Sequence, residues 1–562
     1  VSATRISVKD IAPHWSARRI SILLTMVALV LWIYSVIQAK FEIGFYGLIS
    51  SFPVTFFVAL GILTIASAIL WISRENHGKL LFLQLCFLIV SICLAPVMVE
   101  GAQPFLPEVY GDLGHIEYIA RLNHFDQQAV WQHNWPIAWM FWASAIHVSG
   151  ISMDGFRSFI PWIPFIWQFL LFLPVFLFFR NTIGKVQPNY CWAAMWLFYL
   201  GYWFGSQNTG AQAFGIFFVF SIMALLTMTP SWEQRAGALW QRVSAIILFA
   251  VLAMTHLLGS FVGLAIAAAL YVARRVWSSN PVIIAAVFIA VWSIYGAIYY
   301  FEWGLPDFLE QGFRLDIATQ AGIVNPLSGS ESHAAVAAAR LILSGLYGAV
   351  ALLGAILAWK FRTNTYADIT VLAIAVSCGI AAVVVGAGYG VELYQRFFIF
   401  LLPAMAYFGV KLLHFRTIAV ILCIVLLIAL PLSFVARYGN QTIDYLTPAY
   451  LSGADFFQDN TTHGYVTGEA PIGRMKYREK YRFVPSFEEL EWENDRLVRV
   501  GSRIDPSPHY ICIGNHVRET YTFYYNEPQF IDGIESSLQV ATNCNLVYAN
   551  PDLSLYVHDA PE

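Results

Sequence analysis

Long apolar runs separated by short polar breaks recur from Ile20 to Ala436, and the pattern then gives way to short alternating runs divided by turn residues. Some twenty consecutive apolar residues span a bilayer. The first part therefore predicts membrane helices and the second a small folded domain. Counting one span per run gives about thirteen. They lie near residues 20–39, 45–73, 79–98, 159–180, 189–205, 211–229, 243–257, 259–273, 281–301, 336–359, 366–388, 395–412 and 416–436. The two short runs either side of Thr255-His256 read as a helical hairpin or as one broken helix.

Basic residues fix the expected orientation. Arg18 and Arg19, Arg74 and Lys79, Arg180 and Lys185, Arg235 and Arg242, Arg274 and Arg275, Lys360 and Arg362, and Lys411 and Arg416 fall in alternate loops. By the positive-inside rule those loops are cytoplasmic. The N-terminus is then cytoplasmic and, with an odd number of spans, the 437–562 tail is extracytoplasmic. The first apolar run is long enough to be a genuine span, and no cleavable signal peptide is evident.

The tail is charged, aromatic and rich in turn residues. Strand-like runs occur at Tyr465-Val466, Tyr510 to Ile513, Asn545 to Tyr548 and Leu553 to Val557. The last two, separated by Asn550-Pro551-Asp552, read as a hairpin, while 449–458 and 486–496 read as helix or loop. The expected architecture is an all-α polytopic membrane domain over 1–436 followed by a small α/β domain over 437–562. Asn440-Gln441-Thr442 and Asn460-Thr461-Thr462 are glycosylation sequons on the predicted outer side.

Composition agrees with this division. Of 562 residues, 58% are hydrophobic and 12% charged, against about 25% charged in an average soluble domain; the mean hydropathy is +0.61. No basic stripe or recognition motif suggests nucleic acid as a partner. Cys86, Cys93, Cys191, Cys378 and Cys423 sit inside apolar runs, whereas Cys512 and Cys544 lie in the tail, where an oxidising compartment would permit a disulfide.

The exception to the apolar pattern is the outer loop at 99–158. It carries Glu108, Asp112, His115, Glu117, Arg121, His124, Asp126, His133 and Trp135. Ionisable groups beside a bilayer are costly to desolvate, so their clustering marks a functional site. Residues 113–131 suit one or two helices lying along the membrane surface, and 137–150 a re-entrant or interfacial helix.

A carboxylate here can take a proton from an acceptor hydroxyl as that hydroxyl attacks a sugar carbon. Asp112 is the first candidate for this base, with Glu108 and Glu117 in reserve; solvated loop charges are the plain alternative. His115, Arg121, His133, Trp135 and the distant His256 are candidate substrate contacts, although a histidine at a helix break is more often structural. The three loop histidines are nine residues apart, which is not helix-facing spacing for zinc. No cofactor is firmly implied, and Asp112 with Glu108 leaves room for a divalent metal, Mg or Mn. Arg396, opening a span after a glycine-rich loop, suits a lipid phosphate, as do Arg314 and Arg340; an interfacial anchor or a salt bridge to Glu392 is the alternative for Arg396.

Several of these features together resemble the GT-C class of archaeal and bacterial multi-pass membrane glycosyltransferases. They are the acidic outer loop, His133-Asn134-Trp135-Pro136, and Gln207-Asn208-Thr209-Gly210-Ala211-Gln212-Ala213 opening a span. Thr255-His256 at a helix break, Arg396-Phe397-Phe398 before Leu402-Pro403, and the closing hairpin from Asn545 to Val557 add to the likeness. The resemblance implies a transferase that uses a polyprenyl-phosphate-linked sugar donor on the outer face. It places the class's catalytic acid at Asp112 and its phosphate-binding arginine at Arg396. Two departures stand out: the acidic loop follows the third span where many members have it after the first, and no Trp-Trp-Asp occurs. The latter argues against protein N-glycosylation en bloc.

The leading expectation is thus a glycosyltransferase whose partners are membrane lipid, a lipid-linked sugar donor and a glycan, lipid or protein acceptor. A non-catalytic scaffold whose outer domain binds a surface polymer or a protein is the alternative. A lipid or solute transporter fits less well, because Lys, Asp and Glu are nearly absent from the spans.

Overall fold

The computed structural model describes residues 16–100, 108–128, 131–184, 187–204, 208–228, 235–276, 278–302, 325–361, 365–386, 392–461, 464–468, 481–484, 487, 490–493, 496–500 and 508–558. The chain runs α1 (Ala17–Gln38), α2 (Val54–Trp71), α3 (Gly78–Cys93), α4 (Ala95–Glu100), α5 (Glu108–Leu122), α6 (Ile137–Ser149), α7 (Met153–Phe159), α8 (Ile163–Thr182) and α9 (Pro188–Gly201). It continues with α10 (Ala211–Thr227), α11 (Arg235–Thr255), α12 (Leu257–Val272), α13 (Asn280–Val291), α14 (Glu331–Phe361), α15 (Thr365–Gly386), α16 (Glu392–Val410) and α17 (Arg416–Tyr438). Every predicted apolar run overlaps one of these helices. Among the described residues, six helical segments are long and apolar enough to cross a membrane, and several apolar helices are shorter. Ile37, Val54, Val272, Leu352 and Trp359 are exposed on the helix surfaces, as expected where lipid is the solvent. The chain is a multi-pass membrane protein.

Local details explain where helices start and stop. Pro53 delays α2, so the run that was expected to begin at 45 becomes a short 3-10 turn at Leu48–Ser51 followed by the helix. Ser152 caps α7 by accepting the Gly155 N–H, and Gly150, at φ +69°, ends α6. α9 has no polar face: Asn189 to Gly201 are buried apart from Trp192. It forms the axis of the main core, as a helix that is apolar all round must. α11 and α12 turn about the single extended residue His256. Gly263 lies against Leu252 and Phe249, so the two arms form a hairpin and not one broken helix.

In the tail, α18 (Pro448–Asn460) precedes β1 (Gly464–Gly468), β2 (Tyr481–Val484), β3 (Leu490–Glu493), β4 (Arg496–Val500) and β5 (His509–Gly514). After them come α19 (Asn515–Thr520), α20 (Phe530–Val540), β6 (Cys544–Asn550) and β7 (Leu553–His558). A five-stranded sheet has the order β2-β1-β5-β7-β6, and β3 pairs with β4. The β6–β7 hairpin is antiparallel, as its turn residues predict. Residues 490–493, expected as helix or loop, form a strand because Leu490 and Leu497 each bury an apolar face there.

Two possibilities that the sequence left open are not realised. Cys512 and Cys544 are not joined: they lie on β5 and β6, with β7 between them. Two strand spacings, about 9.6 Å, exceed the reach of a disulfide. Asn440 is buried, so that sequon offers no accessible acceptor.

A second core matters most for the site. It unites Val109, Leu113 and Ile116 of α5, Trp139 and Trp142 of α6 and Phe156 of α7 with Tyr450, Ala454 and Phe457 of α18 and Val466 and Leu555 of the sheet. The tail domain thus shares its apolar interior with the loop that carries Asp112.

Candidate active site at the Asp112 end of the bundle

Apolar residues at 109, 113 and 116 fold the loop onto α6 as one stripe of α5. Asp112 sits beside that stripe, half buried. The Trp139 indole N–H donates to its Oδ1 at 3.0 Å, and the Thr209 hydroxyl donates to its Oδ2 at 3.0 Å. Thr209 immediately precedes Gly210, the N-cap of α10, so the carboxylate also meets the positive end of that helix.

The turn carrying Thr209 is firmly held. Its carbonyl accepts the Trp142 indole N–H at 3.1 Å, the Asn208 carbonyl accepts that of Trp167 at 2.8 Å, and the Asn208 Oδ1 accepts the Gly210 N–H at 3.0 Å. The motif at 207–213 is legible in the sequence by resemblance, but nothing there assigns Thr209 a role or points to Trp139. Trp139 sits in an apolar run, where its indole donor gives no signal in the sequence.

The remaining loop candidates divide into groups. His115 and His133 meet, Nδ1 to Nε2, at 3.2 Å, and both are buried. Their rings pack against Trp139. Burial lowers the His133 pKa to about 4, so its ring is neutral. His124 contacts Tyr118, whose ring also lies against His133. His124 and His133 thus both touch one tyrosine, and His115 joins them through His133. Even so, no group of three His, Cys, Asp or Glu side chains that could hold a metal occurs among the described residues.

Trp135 is buried and stacks edge-on against Tyr300, 4.8 Å between centroids. His133 and Trp135 therefore frame the corner from inside. Glu117 pairs with Arg121 at 2.9 Å, one turn apart on α5. The side chain of Glu108, and Arg314 entirely, lie outside the described residues.

Arg396, on the first turns of α16, belongs to the same end of the bundle. Its charge acts on His256, whose Nδ1 accepts the Gly259 N–H at 3.0 Å and so caps α12. That hydrogen bond puts the ring proton on Nε2. His256 in turn lies on Gly215 of α10, five residues, about 7.5 Å, beyond the Gly210 that touches Asp112. One helix thus meets the acid at its start and His256 a turn and a half later. Arg340, by contrast, donates from Nε to the Ala436 carbonyl at 2.9 Å and lies over Trp203.

Comparison with solved structures places the fold. The oligosaccharyltransferase of Archaeoglobus fulgidus, solved with a tethered acceptor peptide, is similar over 81% of this chain and 72% of its own, with a TM-score of 0.50 and 11% identity. ArnT of Cupriavidus metallidurans, solved with undecaprenyl phosphate, gives a TM-score of 0.48 at 11% identity over 86% and 99% of the two chains. The chain has a GT-C-like fold: a polytopic helical membrane domain with a small strand-containing domain at its C-terminal end. No model of a known family matches the sequence, and no curated protein does either.

Proposed function

We propose that the protein is a membrane glycosyltransferase that moves a sugar from a polyprenyl-phosphate-linked donor to an acceptor on the extracytoplasmic face. The observation that carries this reading is the arrangement along α10: a carboxylate oriented by two donors at its start, and His256, on which the Arg396 charge acts, a turn and a half along. The GT-C-like fold agrees with it. So do the oligosaccharyltransferase and the undecaprenyl-phosphate-bound ArnT among the similar structures.

In the proposed step the acceptor oxygen forms a bond to the anomeric carbon as the bond from that carbon to the phosphate oxygen breaks. The phosphate leaves with the electron pair, and Asp112 takes the acceptor proton. Attack opposite the leaving group inverts the anomeric centre. Charge gathers on the departing phosphate, where a fixed guanidinium at Arg396 helps most, with the His256 Nε2–H as a second donor. Glu108 and Arg314 remain reserves for the same two roles. A divalent Mg or Mn ion held by Asp112 and Glu108 would add to the charge opposing the phosphate.

Purified protein given a polyprenyl-phosphate-linked sugar should transfer it, and Asp112→Asn should remove transfer while leaving the melting temperature in place. Unaltered transfer by that variant would move the base elsewhere. Absence of transfer and of polyprenyl phosphate binding by the wild-type protein would favour the scaffold reading.

A further inference from the structure

We propose that α10 is the alignment rail of the site, with Gly210 and Gly215 as its positioning residues. The first seats the Asp112 carboxylate, and the second seats His256. This rests on the reading of Asp112 as base and of His256 and Arg396 as the donors to the phosphate, and it adds what sets the distance from Asp112 to His256.

A Cβ on Gly210 would lie 2.9 Å from Asp112 Oδ2, 3.4 Å from Oδ1 and 3.1 Å from Asn208 Oδ1. Its φ of −76° and ψ of 167° suit any residue; glycine is favoured over alanine at a helix N-cap, but a cap preference bears on helix stability and not on the carboxylate. The turn cannot yield to a methyl group without loss, because Trp142, Trp167 and Asn208 pin it on both sides. The carboxylate must then move, and it gives up Thr209 or Trp139 as it does.

Gly215 is inside a helix, where glycine is disfavoured. A Cβ there would come within 2.8 Å of His256 Cβ, 2.9 Å of Cγ and 3.0 Å of Nδ1. These are the stem and capping atom of His256, so the added carbon pushes the whole ring and disturbs its bond to Gly259. Two glycines five residues apart therefore let two functional side chains rest on one rigid helix. Their separation is fixed by helix rise and not by flexible loops. An in-line displacement needs that constancy, since a misplacement of about 1 Å can cost on the order of a hundredfold in rate.

The two seats predict different kinetic signatures in the full-length protein. Gly210→Ala should lower kcat by roughly thirty- to a hundredfold and leave the donor KM within about twofold. The acid limb of its pH profile should move to higher pH, because the carboxylate loses a donor to its ionised form. Gly215→Ala should instead raise the donor KM and weaken binding of polyprenyl phosphate alone, each by about tenfold. Gly345→Ala, whose added Cβ meets nothing within 4 Å, serves as the control and should match the wild type.

Wild-type kinetics in Gly210→Ala overturn the rail, as do equal losses of kcat and KM in both variants. The backbone at Gly210 accepts alanine, so that variant decides the carboxylate half even if Gly215→Ala fails to fold. Full transfer by Asp112→Asn would instead sink the functional reading. A protein that depends on Asp112 but ignores Gly210→Ala sinks the rail alone.

Discussion

Two carboxylates lie at opposite ends of the helix bundle, and their surroundings differ in kind. Asp368, in the first turn of α15, accepts the Tyr407 hydroxyl at 2.6 Å and pairs with Lys411 at 3.1 Å. Both partners are largely buried, and the Lys411 ammonium also lies 4.7 Å from the Tyr407 ring centroid. Asp112 has a hydroxyl and an indole on its two oxygens. Arg396 and Lys411 are on or just beyond one helix, α16, and their fifteen-residue separation is about 22 Å of rise. A full positive charge on a buried carboxylate neutralises it and staples α15 to α16. The hydroxyl and the indole orient the Asp112 carboxylate from two directions. The first arrangement suits a joint, the second a reacting group.

The sharpest way to break this contrast is to neutralise each acid in turn. Asp112→Asn should reduce sugar transfer by roughly a hundred- to ten-thousandfold with little change in thermal stability. Asp368→Asn should do the reverse. It leaves Lys411 buried without its carboxylate, which costs on the order of 3–5 kcal/mol, and transfer per folded molecule should stay near wild type. Lys411→Met combined with Asp368→Asn should recover much of that stability. If Asp368→Asn abolished transfer in a folded protein, the distinction between joint and reacting group would be lost.

Arg396 sharpens the comparison from the other side of the Asp112 site. A charge-assisted hydrogen bond to phosphate is worth about 1.5–3 kcal/mol, so Arg396→Gln should raise the donor KM by roughly ten- to a hundredfold. Arg396→Lys should restore part of the affinity, because the charge remains while the paired donors are lost. A wild-type donor KM in Arg396→Gln would exclude this arginine from phosphate binding.

The sequence announced the helices because a lipid solvent leaves them uniformly apolar, and each of the thirteen predicted runs meets one. The Asp112 loop was visible for the complementary reason, as charge where apolar residues were expected. What the pattern could not show were contacts made across the fold. Asp112 and Thr209 are 97 residues apart, and nothing in the periodicity of α10 indicates that its first turn receives a carboxylate. Trp139 looked like one more apolar residue. The spacing of His115 and His133 in the sequence does not show that the turn at 131–134 brings their rings into contact. Strands β3 and β4 escaped notice because their apolar faces are only a few residues long.

The histidine corner offers a smaller effect, read through pH. The His133 pKa of about 4 lies below its ordinary 6.5 because of burial. Between those values the unfolded chain binds a proton that the folded corner refuses. Stability from this group is complete above pH 6.5, declines as the pH falls toward 4 and is flat below. At about 1.4 kcal/mol per unit the total is about 3.5 kcal/mol. His133→Gln should remove this part of the pH dependence, measured as melting temperature in detergent from pH 7 to 4. An unchanged slope would place the titrating group elsewhere.

The weakest predicted effect concerns the joint between the tail domain and the Asp112 loop. Arg157 of α7 donates from Nη1 to Asp455 of α18 at 3.1 and 3.3 Å, and its guanidinium lies 5.8 Å from the ring centroid of Tyr110, two residues before Asp112. Asp455 is nearly half exposed, so the ion pair is screened and worth about 0.2–1 kcal/mol. The shared apolar core beneath it carries the docking. Asp455→Asn should therefore change stability by no more than that and should lose even this difference in high salt. Ala454→Asp, which places a charge in the core itself one residue away, should separate the tail domain from the loop and reduce transfer far more. If Asp455→Asn proved as damaging as Ala454→Asp, the surface charge pair, and not the buried core, would be what holds the tail domain to the helix bearing Asp112.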